Sequence, residues 1–277
     1  MTIRAPHSRR AAGFTLVEAI VVIVITGIVA SFVAVFIRLP VQSYVDTTAR
    51  IALADAADTA LSRINRELRL ALPNSVVAAS GNAAIQFVLT KAGGRYLDVT
   101  NQPPATLQPL QFNVANPSFD MIGPAPTGRA AILPGNLIVL TNTPAAPANV
   151  YATNRNNVAT VASVTTNAGV TRIALNGTLG TSSPSPFRFR VVEGTVTYIC
   201  QGNQLVRYFT PTIPTTGFAV AGLGTASLLA NRAQCNFRNV VLPTQAGTSL
   251  VTAALTLASP AGETVALVRQ TQVENLQ

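Results

Sequence analysis

Twenty-four residues from Phe14 to Ile37 carry a single charge, that of Glu18. As a helix rising about 1.5 Å per residue, the run is roughly 36 Å long, enough to cross a hydrocarbon core of about 30 Å. A short leader, Met1 to Gly13, precedes it with Arg4, Arg9 and Arg10 and no acid. Under the positive-inside rule those arginines stay in the cytoplasm and send everything after Ile37 across the membrane. A chain built this way is held at one end, and any globular part must form beyond the anchor.

Two ordinary readings leave one residue unexplained. A secretory signal has an apolar region of about 7–15 residues followed by a small-residue cleavage site. Here the run is longer, and a helical pattern continues after it. A plain membrane anchor fits the length but has no use for a carboxylate. An acid near the centre of a membrane helix costs roughly 2.5–3.5 kcal/mol on insertion scales, and somewhat less near an end. Glu18 therefore calls for a partner.

Gly13-Phe14-Thr15-Leu16-Val17-Glu18 ahead of an apolar helix resembles the prepilin signature of type IV pilins and type II secretion pseudopilins. The resemblance implies cleavage after Gly13 by a membrane prepilin peptidase and N-methylation of the new terminus, Phe14. It also implies an assembly contact for Glu18, at the fifth mature position, with the terminal amine of a neighbouring subunit. The physics agrees, because a cation and a carboxylate that are each costly alone in lipid are tolerable as a pair.

The rest of the composition excludes more than it asserts. The 277 residues leave ample length for one sizeable core beyond the membrane helix. Charged residues are 10% and apolar ones 48%, which suits a β-rich extracytoplasmic head. The net charge of +9 falls to +6 once the three leader arginines are removed, and the remaining basic residues are scattered. A nucleic-acid groove is the weaker reading of that charge beside a solvated surface, so nucleic acid is not expected as a partner. The one histidine, His7, lies in the leader, so the mature chain would lack imidazole acid–base chemistry, histidine triads and histidine zinc sites. Two cysteines cannot make a four-thiolate site, and no close run of acids forms a calcium loop. No catalytic residue, metal site or cofactor is expected; the chain does not read as an enzyme.

Beyond Arg38, the expected membrane exit, Pro40 interrupts the helix without ending its pattern. Ala57, Leu61, Ile64, Leu68 and Leu72 recur at three- and four-residue spacing, with Asp55, Asp58, Arg63, Arg66 and Arg69 on a solvated face. Leu72 precedes Pro73, so one bent helix is expected from Phe14 to about Leu72. After Pro73 the period changes to two. Ile85–Thr90 and Arg95–Val99 flank Lys91-Ala-Gly-Gly94 as a hairpin, and 103–135 reads as a long loop. Strands are expected at 137–141, 158–164, 171–175 and 187–193. A hairpin follows, with strands 195–200 and 205–209 about the turn 201–204, and then strands at 250–257 and 264–273. Residues 225–232 read as one or two helical turns. The expected fold is α+β: a long N-terminal helix, transmembrane and continuing into the head, packed on an antiparallel β-sheet, pilin-like. The expected divisions are a leader at 1–13, a membrane helix at 14–38 and a periplasmic head at 39–277. The head comprises a helix extension at 39–72 and a β-rich region at 73–277.

Cys200 and Cys235 fall in the part that this topology places in the oxidising periplasm, and an even count without metal partners favours a disulfide over two free thiols. Arg-Ile-Asn-Arg-Glu-Leu-Arg at 63–69 and Ala-Leu-Pro-Asn-Ser-Val at 71–76 resemble the large minor pilins of the mannose-sensitive haemagglutinin pilus, the MshO type. So do Tyr-Ile-Cys at 198–200, Cys-Asn-Phe at 235–237 and Gln-Val-Glu-Asn at 272–275. These pilins are akin to the J-type minor pseudopilins. The resemblance implies a non-catalytic inner-membrane subunit that helps start or cap a pilus or pseudopilus. Its implied partners are prepilin peptidase, other minor and major pilins, the inner-membrane assembly platform and membrane lipid. The rival readings are a J-type secretion pseudopilin and an adhesin-like or DNA-binding tip head.

Overall fold

In a computed structural model the described residues are 13–101, 104–180, 184–215, 218, 222–241 and 247–275, with only the backbone of Arg38, Leu39 and Asn101. Residues 1–12, which hold the basic leader and His7, lie outside them. The chain divides into two compact units, Met1–Ile51 and Ala52–Gln277. Helix α1, Leu16–Leu68, is continuous across Pro40 and contributes to both.

In the first unit the helix carries its apolar residues on every side, and nearly all are exposed. In the second, Ala57, Ala60, Leu61, Ile64 and Leu68 turn inward and are almost fully buried. The expected stripe is therefore present, but the helix ends four residues before Leu72. The Leu70 and Ala71 N–H groups donate to the carbonyls of Glu67 and Leu68, tightening the last turn. Leu70, Ala71 and Leu72 then line up beside a strand, with the Thr90 N–H donating to Leu70 and the Leu72 N–H to Val88. Pro73 forbids further helix, and this lateral pairing satisfies the freed backbone groups sooner than another turn would.

Among the described residues twelve strands follow. In chain order they are β1 (Val77–Ala78), β2 (Ala84–Tyr96), β3 (Ser118–Ile122), β4 (Leu137–Val139), β5 (Val158–Asn167) and β6 (Val170–Asn176). The others are β7 (Arg188–Gln201), β8 (Gln204–Thr210), β9 (Thr225–Asn231), β10 (Ala233–Val241), β11 (Thr248–Ala258) and β12 (Thr264–Glu274). All ladder pairings are antiparallel, giving an α+β, pilin-like architecture.

Two long strands organise the head. β2 and β7 pair from Ala84↔Ile199 to Arg95↔Arg188, with bulges around Thr90. At one end they are the centre of a sheet ordered β1-β2-β7-β8-β9. At the other, β7 leaves β8 for β4, and the ladder runs β4-β5-β6-β3 back to β2. Six strands thus close into a ring. It is filled by Tyr96, Phe119, Ile138, Val161, Ile173, Phe189 and their neighbours. Strands β10, β11 and β12 form a separate sheet. The inner face of β11, Val251, Ala253, Leu255 and Leu257, shares one core with the α1 stripe and with Phe87, Val196 and Tyr198. Cys200 of β7 is bonded to Cys235 of β10, joining the two sheets.

Several expectations are corrected. Lys91-Ala-Gly-Gly94 is no turn: β2 runs straight through it. A Cβ placed on Gly94 would lie 2.6 Å from the buried Phe189 ring and 3.2 Å from the Met121 sulfur, so this glycine serves close packing inside the ring. Gly94→Ala is expected to overpack that core by about 1–3 kcal/mol, lowering the melting temperature by a few degrees. An unchanged melting temperature in thermal denaturation would refute this account. Residues 225–232 are not helical: Thr225–Asn231 is strand β9, because pairing with β8 satisfies a ladder that Ala and Leu propensity alone would not predict. The supposed loop 103–135 contains β3, whose Phe119 and Met121 face the ring interior.

Asp120 of β3 stands opposite Arg172 of β6, which donates to both its carboxylate oxygens at 2.7 and 2.9 Å. The Arg172 hydrogen bonds hold the Asp120 carboxyl below its ordinary range, against the upward push of burial and with help from the Gln108 N–H. A depressed folded value means stability fully present above the unfolded value of about 3.9 and lost as pH falls through the lower folded one. The melting temperature of Asp120→Asn should therefore fall less steeply below about pH 4 than that of the wild type; parallel curves would count against the pair.

Candidate assembly interface

Gly13, Phe14 and Thr15 are non-helical residues leading into α1. Thr15 is the N-cap: its hydroxyl accepts the Glu18 N–H at 3.3 Å, and its carbonyl accepts the Ala19 N–H. Glu18 lies in the first turn, where a carboxylate faces the positive end of the helix dipole. Its side chain is exposed, and it forms no ion pair with a described residue. Phe14 is 71% exposed. The expected cleavage and methylation residues, Gly13 and Phe14, thus adjoin the expected assembly residue, Glu18, at the start of one helix.

Farther along the apolar segment two hydroxyls are satisfied without water. The Thr26 hydroxyl donates to the Val22 carbonyl at 2.6 Å and the Ser31 hydroxyl to Ile28 at 2.7 Å. A helix in lipid needs this internal satisfaction. Among the described residues α1 is the one helix long and apolar enough to cross a membrane. No group of three or more metal-ligating side chains occurs among the described residues.

The second unit holds a polar site that pattern reasoning missed. Glu67, on the last turn of α1, accepts from the Tyr198 hydroxyl at 2.7 Å and from the Arg207 guanidinium at 2.9 and 3.1 Å. Arg63 approaches the same carboxylate at 3.5 Å. Burial pushes the Tyr198 hydroxyl far up, reinforced by the Glu67 charge. Burial opposes the charge on Arg207, but the Glu67 hydrogen bond and charge outweigh it and raise its pKa. Asp58, read with Asp55 as a wet face, is exposed, and it and Ser62 accept from the two terminal nitrogens of Arg269 at 2.7 and 2.8 Å. Glu67 was legible only as the lone acid among Arg63, Arg66 and Arg69.

Contacts also join the distant segments whose resemblance was diffuse in sequence. Asn74 donates to the Asn275 side chain and to the Asn142 carbonyl. Glu67 meets Tyr198, and Cys200 meets Cys235. Residues 63–76 therefore meet 198–200 and 272–275, and 198–200 in turn meet 235–237.

Against models of known families, residues 8–34 match the prokaryotic N-terminal methylation motif. No curated protein and no solved structure matches the chain. The motif supports the type IV prepilin and pseudopilin family, and it implies processing by prepilin peptidase and assembly with other pilins.

Proposed function

We propose that the chain is a minor pilin of the MshO type, a non-catalytic subunit that helps start or cap a pilus of the mannose-sensitive haemagglutinin kind. The observation that carries this is the methylation motif at 8–34 heading an exposed apolar helix, with a large antiparallel head behind it. Residues 1–13 are the leader, 14–38 the membrane segment and 39–277 the periplasmic head; the Cys200–Cys235 bond suits that oxidising compartment. The peptidase cuts between Gly13 and Phe14, and the Phe14 amine is methylated. Assembly is non-covalent: apolar helices pack in the fibre core, Glu18 meets a neighbour's terminal amine, and heads dock laterally. The MshO assignment rests on segments 63–76, 198–200, 235–237 and 272–275, which the fold brings together. N-terminal sequencing of protein from cells with an active prepilin peptidase should find Phe14 first. A leader retained on every molecule would overturn the reading.

A further inference from the structure

Four arginines of the head are matched to carboxylates among the described residues: Arg172 to Asp120, Arg63 and Arg207 to Glu67, and Arg269 to Asp58. Four others lie along one face without an ion pair among the described residues. Arg95 of β2 and Arg188 of β7 stand directly opposite each other, and Arg190 follows two residues along on the same side of β7. Like charges in register weaken a ladder, and the one internal hydrogen bond given for these side chains is from Arg95 Nε to the Pro186 carbonyl at 3.1 Å, which leaves the charges themselves unmatched. Arg69, just past α1, extends the row: a cleft of about 410 Å³ is lined by Arg69, Thr90, Arg190, Gln270 and Glu274 among others. A neighbouring cleft of about 360 Å³ lies over Gly93 and Gly94 between Arg95, Arg188 and Arg190. Both clefts share Arg190, and Gly93 leaves the backbone between the arginines bare.

We propose that this face docks an acidic segment of another pilus subunit, with its carboxylates on Arg95, Arg188 and Arg190. The proposal rests on the pilin reading for the kind of partner, and on charge for the chemistry. Alternate strand positions set Arg188 and Arg190 about 6.8 Å apart, so each can take its own carboxylate through the planar guanidinium fork. Nucleic acid fits less well. The one aromatic lining these clefts, Phe189, is fully buried in the ring and offers no stacking face. Glu274 lines the first cleft and not the second, so the carboxylates belong over Arg95, Arg188 and Arg190, where no acid lines the cleft, while the Gln270 amide suits a peptide backbone.

The test uses the full-length chain in membranes that also contain its companion pilin subunits. Arg188→Lys/Arg190→Lys keeps the charge and supplies amines, which a water-soluble carbodiimide joins only to carboxylates in direct contact. The expected product is an amide between position 188 or 190 and an Asp or Glu of another subunit, identified by mass spectrometry. Arg269→Lys, next to Asp58, is the internal control for the coupling. Arg188→Glu/Arg190→Glu should cut recovery of that subunit at least tenfold, with the Gly13–Phe14 cleavage and the disulfide unchanged. Cleaved protein that forms the control amide but none at 188 or 190 overturns the docking and leaves the pilin reading standing; an uncleaved leader overturns both. Binding of a 30-nucleotide single strand that the charge reversal abolishes, with no amide formed, assigns the face to nucleic acid and equally overturns the proposal.

Discussion

Glu67→Ala is expected to lower the melting temperature of the head by roughly 6–20 °C. The Glu67 carboxylate is 12% exposed, as is the Arg207 side chain it holds, and the Tyr198 hydroxyl has the same acceptor. Removing one member of a buried pair strands the other, which costs about 3–5 kcal/mol, and a head of this size loses about 2–4 °C per kcal/mol. Arg207 cannot escape by giving up its proton, because an arginine stays charged. Glu67→Gln keeps an acceptor for Tyr198 and should lie between the variant and the wild type. The double variant Glu67→Leu/Arg207→Met should recover most of the loss, since replacing both partners by apolar groups removes the stranded charge. Thermal denaturation of the four proteins checks this. If Glu67→Ala melts within about 2 °C of the wild type, the triad contributes little.

Glu18→Leu is expected to abolish assembly while sparing everything before it. Insertion improves by up to about 3 kcal/mol, because an acid leaves the lipid. The helix start survives, because Thr15 caps the Glu18 backbone N–H, which leucine retains. Cleavage should also survive, since the residues beside the cut are unchanged. What is lost is the partner of a neighbour's terminal amine in an apolar bundle, at roughly 3–5 kcal/mol, or about one hundred- to several thousand-fold in the assembly equilibrium. Glu18→Asp keeps the charge with a shorter reach and should be intermediate. Recovery of surface pili at matched expression is the readout. Wild-type assembly by Glu18→Leu, with Phe14 still exposed by cleavage, would show that the carboxylate makes no assembly contact.

Local chemistry was legible, and closure at a distance was not. The apolar run announced α1, and Gly202-Asn203 announced the β7–β8 hairpin: both residues adopt positive φ, 54° and 64°, as a two-residue turn of that twist demands. The alternation of Val251, Ala253, Leu255 and Leu257 marked the buried face of β11 correctly. Gly93-Gly94 misled because a glycine pair signals a turn whenever its partner across the sheet is unknown, and Phe189 is nearly a hundred residues away. β10 alternates only over Ala233 to Arg238 before Asn239 falls at an inward position and Val240 and Val241 are exposed, so its signal was short. The ring was invisible for the same reason: it depends on β2 meeting both β3 and β7. At the candidate interface Gly13, Phe14 and Glu18 were readable because their signature is contiguous. Glu67 was not, because its partners Tyr198 and Arg207 lie 131 and 140 positions away.

Sharing β2 and β7 between the ring and the helix-bearing sheet has a kinetic consequence. Neither half can be completed until two strands about a hundred residues apart have found each other, and the loop entropy of that search comes before any of its contacts. Emerging chain therefore waits with the first strand unmatched, its long hydrogen-bonding edge open, until Arg188–Gln201 arrives. Once the pair has formed, melting the ring removes the central strands of the sheet as well, so the two halves should open together as a single cooperative unit.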